Sequence, residues 1–439
     1  MLISFTVENW MSYNEPATLS MVASRERQHG ERVPSLPKYK LKVLPVAAIF
    51  GGNASGKTNL FKALQFAKER VVAGSQPDSL IPVAPFRLNP VNASNPCRFV
   101  FEILINEVIY EYSFSVTRTE VIEEKLVEIL KSSELVHFHR IDGEANLAKI
   151  YDGDQFLKYA FKGTRENQLF ITNTVMQKIE VFDPVYNWFQ KTLQLVGPDA
   201  RFRPIERFFQ EDDPLNPAMS AALGNLDTGI NRIGKVQVSF ESIPLLERLI
   251  PRLQELLQEG KTFTITSDTN KERYIVTRED GELKAYVLVS YHNGADGNDI
   301  RFDMQEESDG SQRVIDLLPA FIDMGTQSSS KVYVIDELDR SLHTELTRKL
   351  LENYLDCCTS NTRSQLLFTT HDVMLMDQDK LRRDEIWVTE RDSTGGSILR
   401  SFSDYKEVRY DKDIRKSYLQ GRLGGTPRIM SDIMAGCSK

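Results

Sequence analysis

Residues 51–58 read Gly51-Gly52-Asn53-Ala54-Ser55-Gly56-Lys57-Thr58 and fit the pattern G-x-x-x-x-G-K-[S/T] in full. An apolar run over residues 43–50 precedes this segment. After it, apolar residues keep helical spacing until Gly74, at Leu60, Leu64, Ala67 and Val71. Strand, glycine-rich turn and amphipathic helix are the context in which this pattern binds phosphate.

The pattern predicts an ATP site, with a role for each residue type. Glycines let backbone N–H groups turn inward around the phosphates at the N-terminus of a helix. Lys57 would supply a positive charge to the β- and γ-phosphates, and the Thr58 hydroxyl would bind Mg²⁺. The predicted ATP-binding residues are Gly51, Gly52, Asn53, Ala54, Ser55, Gly56, Lys57, Thr58 and Asn59.

Two carboxylates follow a second apolar strand, residues 332–335. Ligands of open α/β sheets bind at the carboxyl ends of the strands. Asp336 is therefore a candidate Mg²⁺ ligand, and Glu337 a candidate general base for the attacking water. A strand that ends in solvated acids is common, and the pairing with residues 51–58 is what favours the catalytic interpretation.

A histidine follows a third apolar strand, residues 365–370. At the same sheet edge, His371 could reach the γ-phosphate or the catalytic water, and we predict a catalytic role for it. The alternative is a structural histidine.

The segment Glu306-Glu307-Ser308-Asp309-Gly310-Ser311-Gln312 precedes an apolar helical stripe. Ser308 and Gly310 would lie at the helix N-terminus, where hydroxyl and N–H groups can donate to a phosphate. Without the other motifs, an ordinary helix cap would be the simpler interpretation.

Together these segments resemble the ABC-type ATPases of the RecF, SMC and OLD group, and among them the RloA-like or AbiL-like proteins of abortive-infection systems. The resemblance also rests on residues 7–13 (Val-Glu-Asn-Trp-Met-Ser-Tyr), 336–343 (Asp-Glu-Leu-Asp-Arg-Ser-Leu-His) and 418–427 (Tyr-Leu-Gln-Gly-Arg-Leu-Gly-Gly-Thr-Pro). It implies ATP and Mg²⁺ as cofactors. It also implies a dimer in which Ser308, Gly310 and Gln312 contact the ATP of a second subunit, with Asp339 at the dimer seam.

Composition sets the class of protein. The chain has 439 residues, 41% hydrophobic and 26% charged, with a formal net charge of −8. This length exceeds the ~250–300 residues that one core usually fills, so we expect two structural units. No apolar run is long enough for a transmembrane helix, and the four cysteines suit neither a disulfide framework nor a zinc site. A cytoplasmic protein without membrane contact is expected.

The expected fold class is α/β: an ABC-type P-loop ATPase head with a mixed sheet, flanking helices and an antiparallel β-meander over residues 97–130. Residues 1–160 would form its N-terminal lobe and 262–439 its C-terminal lobe. A mainly helical insertion, 161–261, would separate them.

Three functions remain open. The resemblance favours an ATP-hydrolysing sensor or regulator of a separate effector protein in anti-phage defence. The alternatives are a RecF-like DNA-repair ATPase and an ATP-dependent scaffold with little turnover. Nucleic acid is a possible partner through basic residues that otherwise form a solvated face: Arg382, Arg383, Arg409, Lys412, Arg415, Lys416 and Arg422.

Overall fold

The computed structural model describes residues 1–200, 215–243, 250–259, 261–266, 272–405 and 414–421. Two compact units contain them. The first unit comprises Met1–Pro198, Gln327–Asp339 and Leu351–Lys439, and the second comprises Asp199–Thr326 and Arg340–Leu350. Three of the basic residues singled out in the sequence, Arg409, Lys412 and Arg422, lie outside the described residues, as does part of the segment 418–427.

In chain order the strands are β1 (Leu2–Glu8), β2 (Ala17–Ser20), β3 (Ser35–Leu36), β4 (Leu41–Lys42), β5 (Val46–Gly51), β6 (Cys97–Ile105), β7 (Val108–Val116), β8 (Val121–Ile129), β9 (Glu134–Ile141), β10 (Glu144–Leu147), β11 (Leu193–Val196), β12 (Ile230–Val238), β13 (Thr262–Thr266), β14 (Arg273–Glu279), β15 (Glu282–Asn293), β16 (Asp299–Asp303), β17 (Val332–Ile335), β18 (Gln365–Thr369), β19 (Ile386–Arg391) and β20 (Ser397–Ser401). The α-helices are α1 (Lys57–Ala73), α2 (Gln155–Lys162), α3 (Phe170–Met176), α4 (Asp183–Asn187), α5 (Leu215–Gly224), α6 (Ile250–Leu256), α7 (Asp309–Gly325), α8 (Thr344–Cys357) and α9 (Ile414–Leu419).

The first unit contains two large sheets. One has the order β10-β9-β8-β7-β6-β1-β2 and pairs antiparallel throughout. The other has the order β11-β17-β18-β5-β19-β20, and only β20 runs antiparallel to its neighbour. The parallel strands β5, β17 and β18 are buried along their whole length, as near-continuous apolar sequences require.

Helix α1 packs into the core of this unit. Its buried face includes Leu60, Leu64, Ala67 and Val71, the stripe that the sequence predicts. Phe66 on the same helix lies 4.9 Å from Trp10 and 5.1 Å from Phe99, measured between ring centroids. Such aromatic contacts add to the free energy gained from burying apolar surface, so they stabilise the position of α1 directly after residues 51–58. The predicted α/β fold class, with a mixed sheet, flanking helices and an antiparallel meander, is confirmed.

The second unit contains a five-stranded antiparallel sheet of order β12-β15-β14-β13, with β16 paired to β15. Its strands include residues on both sides of position 261, because β12 pairs with β15 from Ile230↔His292 to Val238↔Ala285. The compact unit therefore extends to Thr326, whereas the sequence suggested a mainly helical insertion over 161–261. Within that range, the described residues form helices α3 to α6 but also strands β11 and β12. Residues 161–198 belong to the first unit.

Among the described residues, none of the helices combines the length and apolar character that crossing a bilayer requires.

Candidate functional site

Residues 51–58, the predicted phosphate-binding segment, are called the phosphate loop. They connect β5 to α1 at the carboxyl end of β5. Two of its glycines are fixed by close packing. A Cβ atom at Gly51 would lie closer than 3.0 Å to Thr389 and Ser55, and one at Gly56 would lie equally close to Ser397. Gly56 also has a φ of 121°, which L-residues with a side chain rarely adopt. The loop conformation therefore requires these two glycines.

Lys57, the first residue of α1, is buried with its ammonium group inside the loop. Its Nζ donates to the carbonyl oxygens of Gly51 at 2.7 Å and Gly52 at 3.1 Å, and lies 3.4 Å from Nδ1 of His371. Burial lowers the pKa of Lys57 to about 8, and three carboxylates oppose this shift: Asp336, Asp339 and Glu337. The positive charge of Lys57 thus lies beside the loop backbone, where the negative charges of these three carboxylates attract it.

Strand β17 delivers two carboxylates. Asp336 is fully buried, and its Oδ1 accepts a hydrogen bond from the Thr369 hydroxyl at 2.5 Å. Oγ1 of Thr369 also accepts the backbone N–H of Glu337 at 2.8 Å. Glu337 has a φ of 52°, a strained value for a residue with a side chain. One threonine on β18 therefore fixes both acidic residues.

His371 and Asp339 meet at the same edge. The backbone N–H of His371 points to both carboxylate oxygens of Asp339, each at 3.4 Å. Partial burial, then the charge of Lys57, lower the pKa of His371. The Lys57 ammonium lies 3.4 Å from Nδ1 of the ring, so a proton on the imidazole would meet a positive charge at close range. The ring is therefore neutral near pH 7 and can donate or accept a hydrogen bond.

Within the first unit, the structure thus brings together Lys57, Asp336, Glu337, Asp339 and His371. The other loop residues have different surroundings. Asn53 and Ala54 are exposed at the tip, while Thr58 is half-buried in the first turn of α1. The Asn59 side chain donates to the Ser12 hydroxyl at 2.7 Å, so it braces the loop from the side.

A second group of residues, which the pattern at 51–58 does not indicate, supports the phosphate loop from outside. Trp10 donates to the Asn59 carbonyl at 3.1 Å, and Tyr13 donates to the Gly56 carbonyl at 3.1 Å. The Ser397 hydroxyl lies 2.6 Å from the Ser55 carbonyl and 2.8 Å from the Ser12 hydroxyl. The sequence signal for Trp10, Ser12 and Tyr13 is the segment 7–13, which the family resemblance includes without a structural role.

Ser308, Gly310 and Gln312, predicted to contact the ATP of a second subunit, lie in the second unit. Ser308 caps α7 by accepting the Ser311 N–H at 3.0 Å, and it is exposed. A Cβ at Gly310 would lie 2.9 Å from the Ser341 carbonyl, so glycine is needed there. Gln312 is buried, and its amide donates to the carbonyls of Met304 and Glu307, at 2.9 Å each. Its side chain thus holds the segment in shape.

Glu307, directly before the cap, anchors the segment 306–312 to the sheet of the second unit. Its Oε1 lies 2.5 Å from the Ser290 hydroxyl and 2.6 Å from Nε2 of His292. Both partners lie on β15. No sequence motif indicates this anchor, because the partners lie 17 and 15 positions away and come together with Glu307 only in the fold.

Comparison with known proteins gives a family match. The model of a family described as "AAA domain, putative AbiEii toxin, Type IV TA system" matches residues 46–162 and 190–377, which is more than half of the chain. A search of the curated proteins finds no match.

The solved structures that are similar to the chain include two SMC heads. The SMC head domain from Thermotoga maritima has 13% sequence identity and a TM-score of 0.36, covering 91% of this chain and 98% of that one. An SMC head bound to the C-terminal winged-helix domain of ScpA has 11% identity and a TM-score of 0.39, covering 91% and 97%.

Proposed function

We propose, from the premise that this chain belongs to the matched family of AAA-domain P-loop ATPases, that it hydrolyses ATP with Mg²⁺ and dimerises around the nucleotide. The carrying observation is the convergence of one buried lysine, three carboxylates and one histidine at the edge where β5, β17 and β18 end. Nucleotides bind at this edge of parallel sheets.

Each residue has a distinct task in this proposal. Lys57 and the N–H groups of the loop bind the β- and γ-phosphates, and Lys57 neutralises charge that develops during transfer. Glu337 accepts a proton from the attacking water. His371, held neutral, orients that water or contacts the γ-phosphate. The strained backbone of Glu337 is consistent with a residue held in a functional position.

The residues present suit a magnesium ion. Mg²⁺ prefers oxygen ligands and usually takes one or two from the protein and the rest from phosphates and water. The Thr58 hydroxyl and the Asp336 carboxylate are oxygen donors of this kind, and Asp336 is fixed by its bond to Thr369. When bound, the ion would polarise the phosphate oxygens.

A second copy would complete the ATP site. Ser308 is exposed at the N-terminus of α7, where backbone N–H groups and the helix dipole favour an anion. Ser308 and Gly310 would contact the γ-phosphate held by the partner, while Gln312 would act through the shape of the segment. Asp339 would lie at the dimer seam.

The biological role that we propose is regulation of a separate effector in anti-phage defence, in the cytoplasm. The family description, which names a toxin–antitoxin system, supports this role, as does the resemblance to RloA-like and AbiL-like proteins. ATP-driven closure would control whether the effector is held or released.

Steady-state hydrolysis and nucleotide binding test the enzymatic part. Lys57→Ala should weaken ATP binding by about 100-fold, and Glu337→Gln should keep binding while turnover falls by about 100-fold or more. Lys62→Ala, an exposed lysine on the same helix, is the matched control and should change neither quantity. Normal turnover in Glu337→Gln would show that Glu337 is not the general base. Normal ATP binding in Lys57→Ala would show that the nucleotide does not bind at this site.

A further inference from the structure

A concavity of about 410 Å³ lies in the first unit, between the segment after β2 and the loop before β19. Four cationic residues line it: Arg25, Arg27, Lys42 and Arg382. This volume is within the usual range for small-ligand sites, roughly 300–1,000 Å³. None of the residues assigned to the ATP site lines it, so a ligand there has a separate chemistry.

Arg382 forms a rigid, neutralised part of the wall. Its side chain is 1% exposed, and it makes a bidentate pair with Asp384 at 2.9 and 2.7 Å. Its Nη1 also donates to the carbonyls of Glu26 and Gln28, at 3.1 and 2.7 Å. Arg382 therefore holds the segment 26–28 in place around the concavity.

The other three cations are not neutralised. Within the part of the chain that the structure describes, the charged ends of Arg25, Arg27 and Lys42 have no hydrogen-bond or ion-pair partner, and all three residues are exposed. The backbone bond from Ala23 N–H to the Lys42 carbonyl, at 2.9 Å, places Lys42 across from the segment that carries both arginines. One carboxylate also lines the concavity, that of Glu26, and it accepts the Arg383 N–H at 2.9 Å.

Three unpaired positive charges around one concavity contrast with a chain whose formal net charge is −8. Local cationic clusters of this kind attract anions whatever the total charge. Guanidinium groups match the geometry of phosphate oxygens, and lysine adds a mobile charge. The wall also includes Ala23 and Val33, so an organic group attached to the phosphate would find apolar contacts.

We propose that this concavity binds phosphate esters, supplied either by the backbone of a nucleic-acid strand or by a free nucleotide. The site is distinct from the ATP site and independent of the proposed hydrolysis. In a strand, Arg25, Arg27 and Lys42 contact successive phosphates; with a free nucleotide they surround one phosphate.

The test compares two triple variants of the full chain, without ATP. The first is Arg25→Glu/Arg27→Glu/Lys42→Glu. The matched control, Arg87→Glu/Arg118→Glu/Lys131→Glu, makes the same charge change at three exposed cations outside the concavity. Any phosphate binding at the ATP site is common to both variants and cancels in the comparison. A neutral version, Arg25→Gln/Arg27→Gln/Lys42→Gln, serves if charge reversal impairs folding.

The two sources are measured separately. Fluorescence anisotropy follows a labelled single strand of about 20 nucleotides, as DNA and as RNA, between about 50 and 200 mM salt. Titration calorimetry measures the binding of uridine monophosphate to each variant. For a strand ligand, the concavity variant should bind about tenfold more weakly or worse than the control, and its plot of log K against log salt should be shallower by about 2, since each single-strand contact contributes about 0.7.

Loss of uridine monophosphate binding alone would assign the site to a free nucleotide. If the concavity variant and the control bind both ligands equally, the proposal is overturned.

Discussion

A methyl group at position 56 would collide with Ser397, and the φ of 121° there disfavours any side chain. We expect Gly56→Ala to destabilise the first unit by about 1–3 kcal/mol and to abolish ATP binding, because the loop must move. Gly153→Ala is the control, since a Cβ there meets nothing within 4 Å. Urea unfolding and nucleotide titration measure the two effects. Unchanged ATP binding in Gly56→Ala would mean that the loop tolerates another conformation.

The candidate site residues that the sequence could predict are those that lie in a recognisable local pattern. Residues 51–58 are consecutive, and Asp336 and His371 each follow a recognisable apolar strand. The supports of the loop are different, because Ser397 is 342 positions from Ser55, with which it bonds. No sequence pattern links two serines that lie so far apart in the chain, so this contact becomes visible only in the folded structure.

The burial of the Glu385 carboxyl leads us to expect that the free energy of unfolding depends on pH. Glu385 is fully buried beside Arg32, and burial raises its pKa to about 7 although the Arg32 guanidinium opposes the shift. In the unfolded chain the carboxyl would ionise near 4.5, so between about pH 4.5 and 7 the folded state binds more protons. The stability that this group contributes is therefore present at low pH and is lost as pH rises through that range.

Glu385→Gln removes the titration. The free energy of unfolding of the wild type minus that of the variant should fall by on the order of 2–3 kcal/mol from pH 5 to pH 8. Urea unfolding at the two pH values measures it. A difference that stays constant, or that grows with pH, would show that the carboxylate is charged throughout and that Arg32 dominates its surroundings.

At the scale of elements, local periodicity predicted the parts of the first unit that carry the site. The apolar run and helical stripe around residues 43–74 correspond to β5 and α1, and residues 97–130 form the meander β6 to β8. The extent of the second unit could not be predicted in this way. Strand β12 follows a helical segment, and its place in a sheet depends on pairing with β15, some 50 residues later.

The N-terminus of α7 allows two roles of Ser308 to be separated. Its hydroxyl accepts the Ser311 N–H, so Ser308→Ala should cost about 1 kcal/mol of stability in the second unit. Aspartate is an equally good cap, and Ser308→Asp should leave stability within about 0.5 kcal/mol of the wild type. Its negative charge would nevertheless repel the γ-phosphate of a partner's ATP.

Hydrolysis assays on Ser308→Asp then test the composite site independently of folding. We expect turnover and ATP-driven association both to fall by about tenfold or more, with binding of ATP to the isolated subunit retained. Full activity in Ser308→Asp would limit the serine to the capping role.

For the whole molecule, the proposal requires that ATP bring two copies together. The phosphate loop and its carboxylates lie in the first unit and the exposed Ser308 lies in the second, so in this proposal each chain would contribute one half of each of two shared sites. Association should depend on ATP and should persist longest where hydrolysis is blocked, because hydrolysis removes the γ-phosphate that both copies contact.

Molar mass in solution, by light scattering, measures this for the wild type and Glu337→Gln, each with and without ATP and Mg²⁺. The expected result is a monomer mass without nucleotide and a dimer mass with ATP, most complete in Glu337→Gln. Lys57→Ala should remain at the monomer mass under all conditions, since it lacks the charge that holds the phosphates. A monomer mass under all conditions, in a protein that still hydrolyses ATP, would show that each copy works alone and that Ser308 and Gly310 have no role across a dimer. A dimer mass under all conditions would instead show an oligomer that forms without ATP, and hydrolysis by Ser308→Arg would then decide whether Ser308 acts across it.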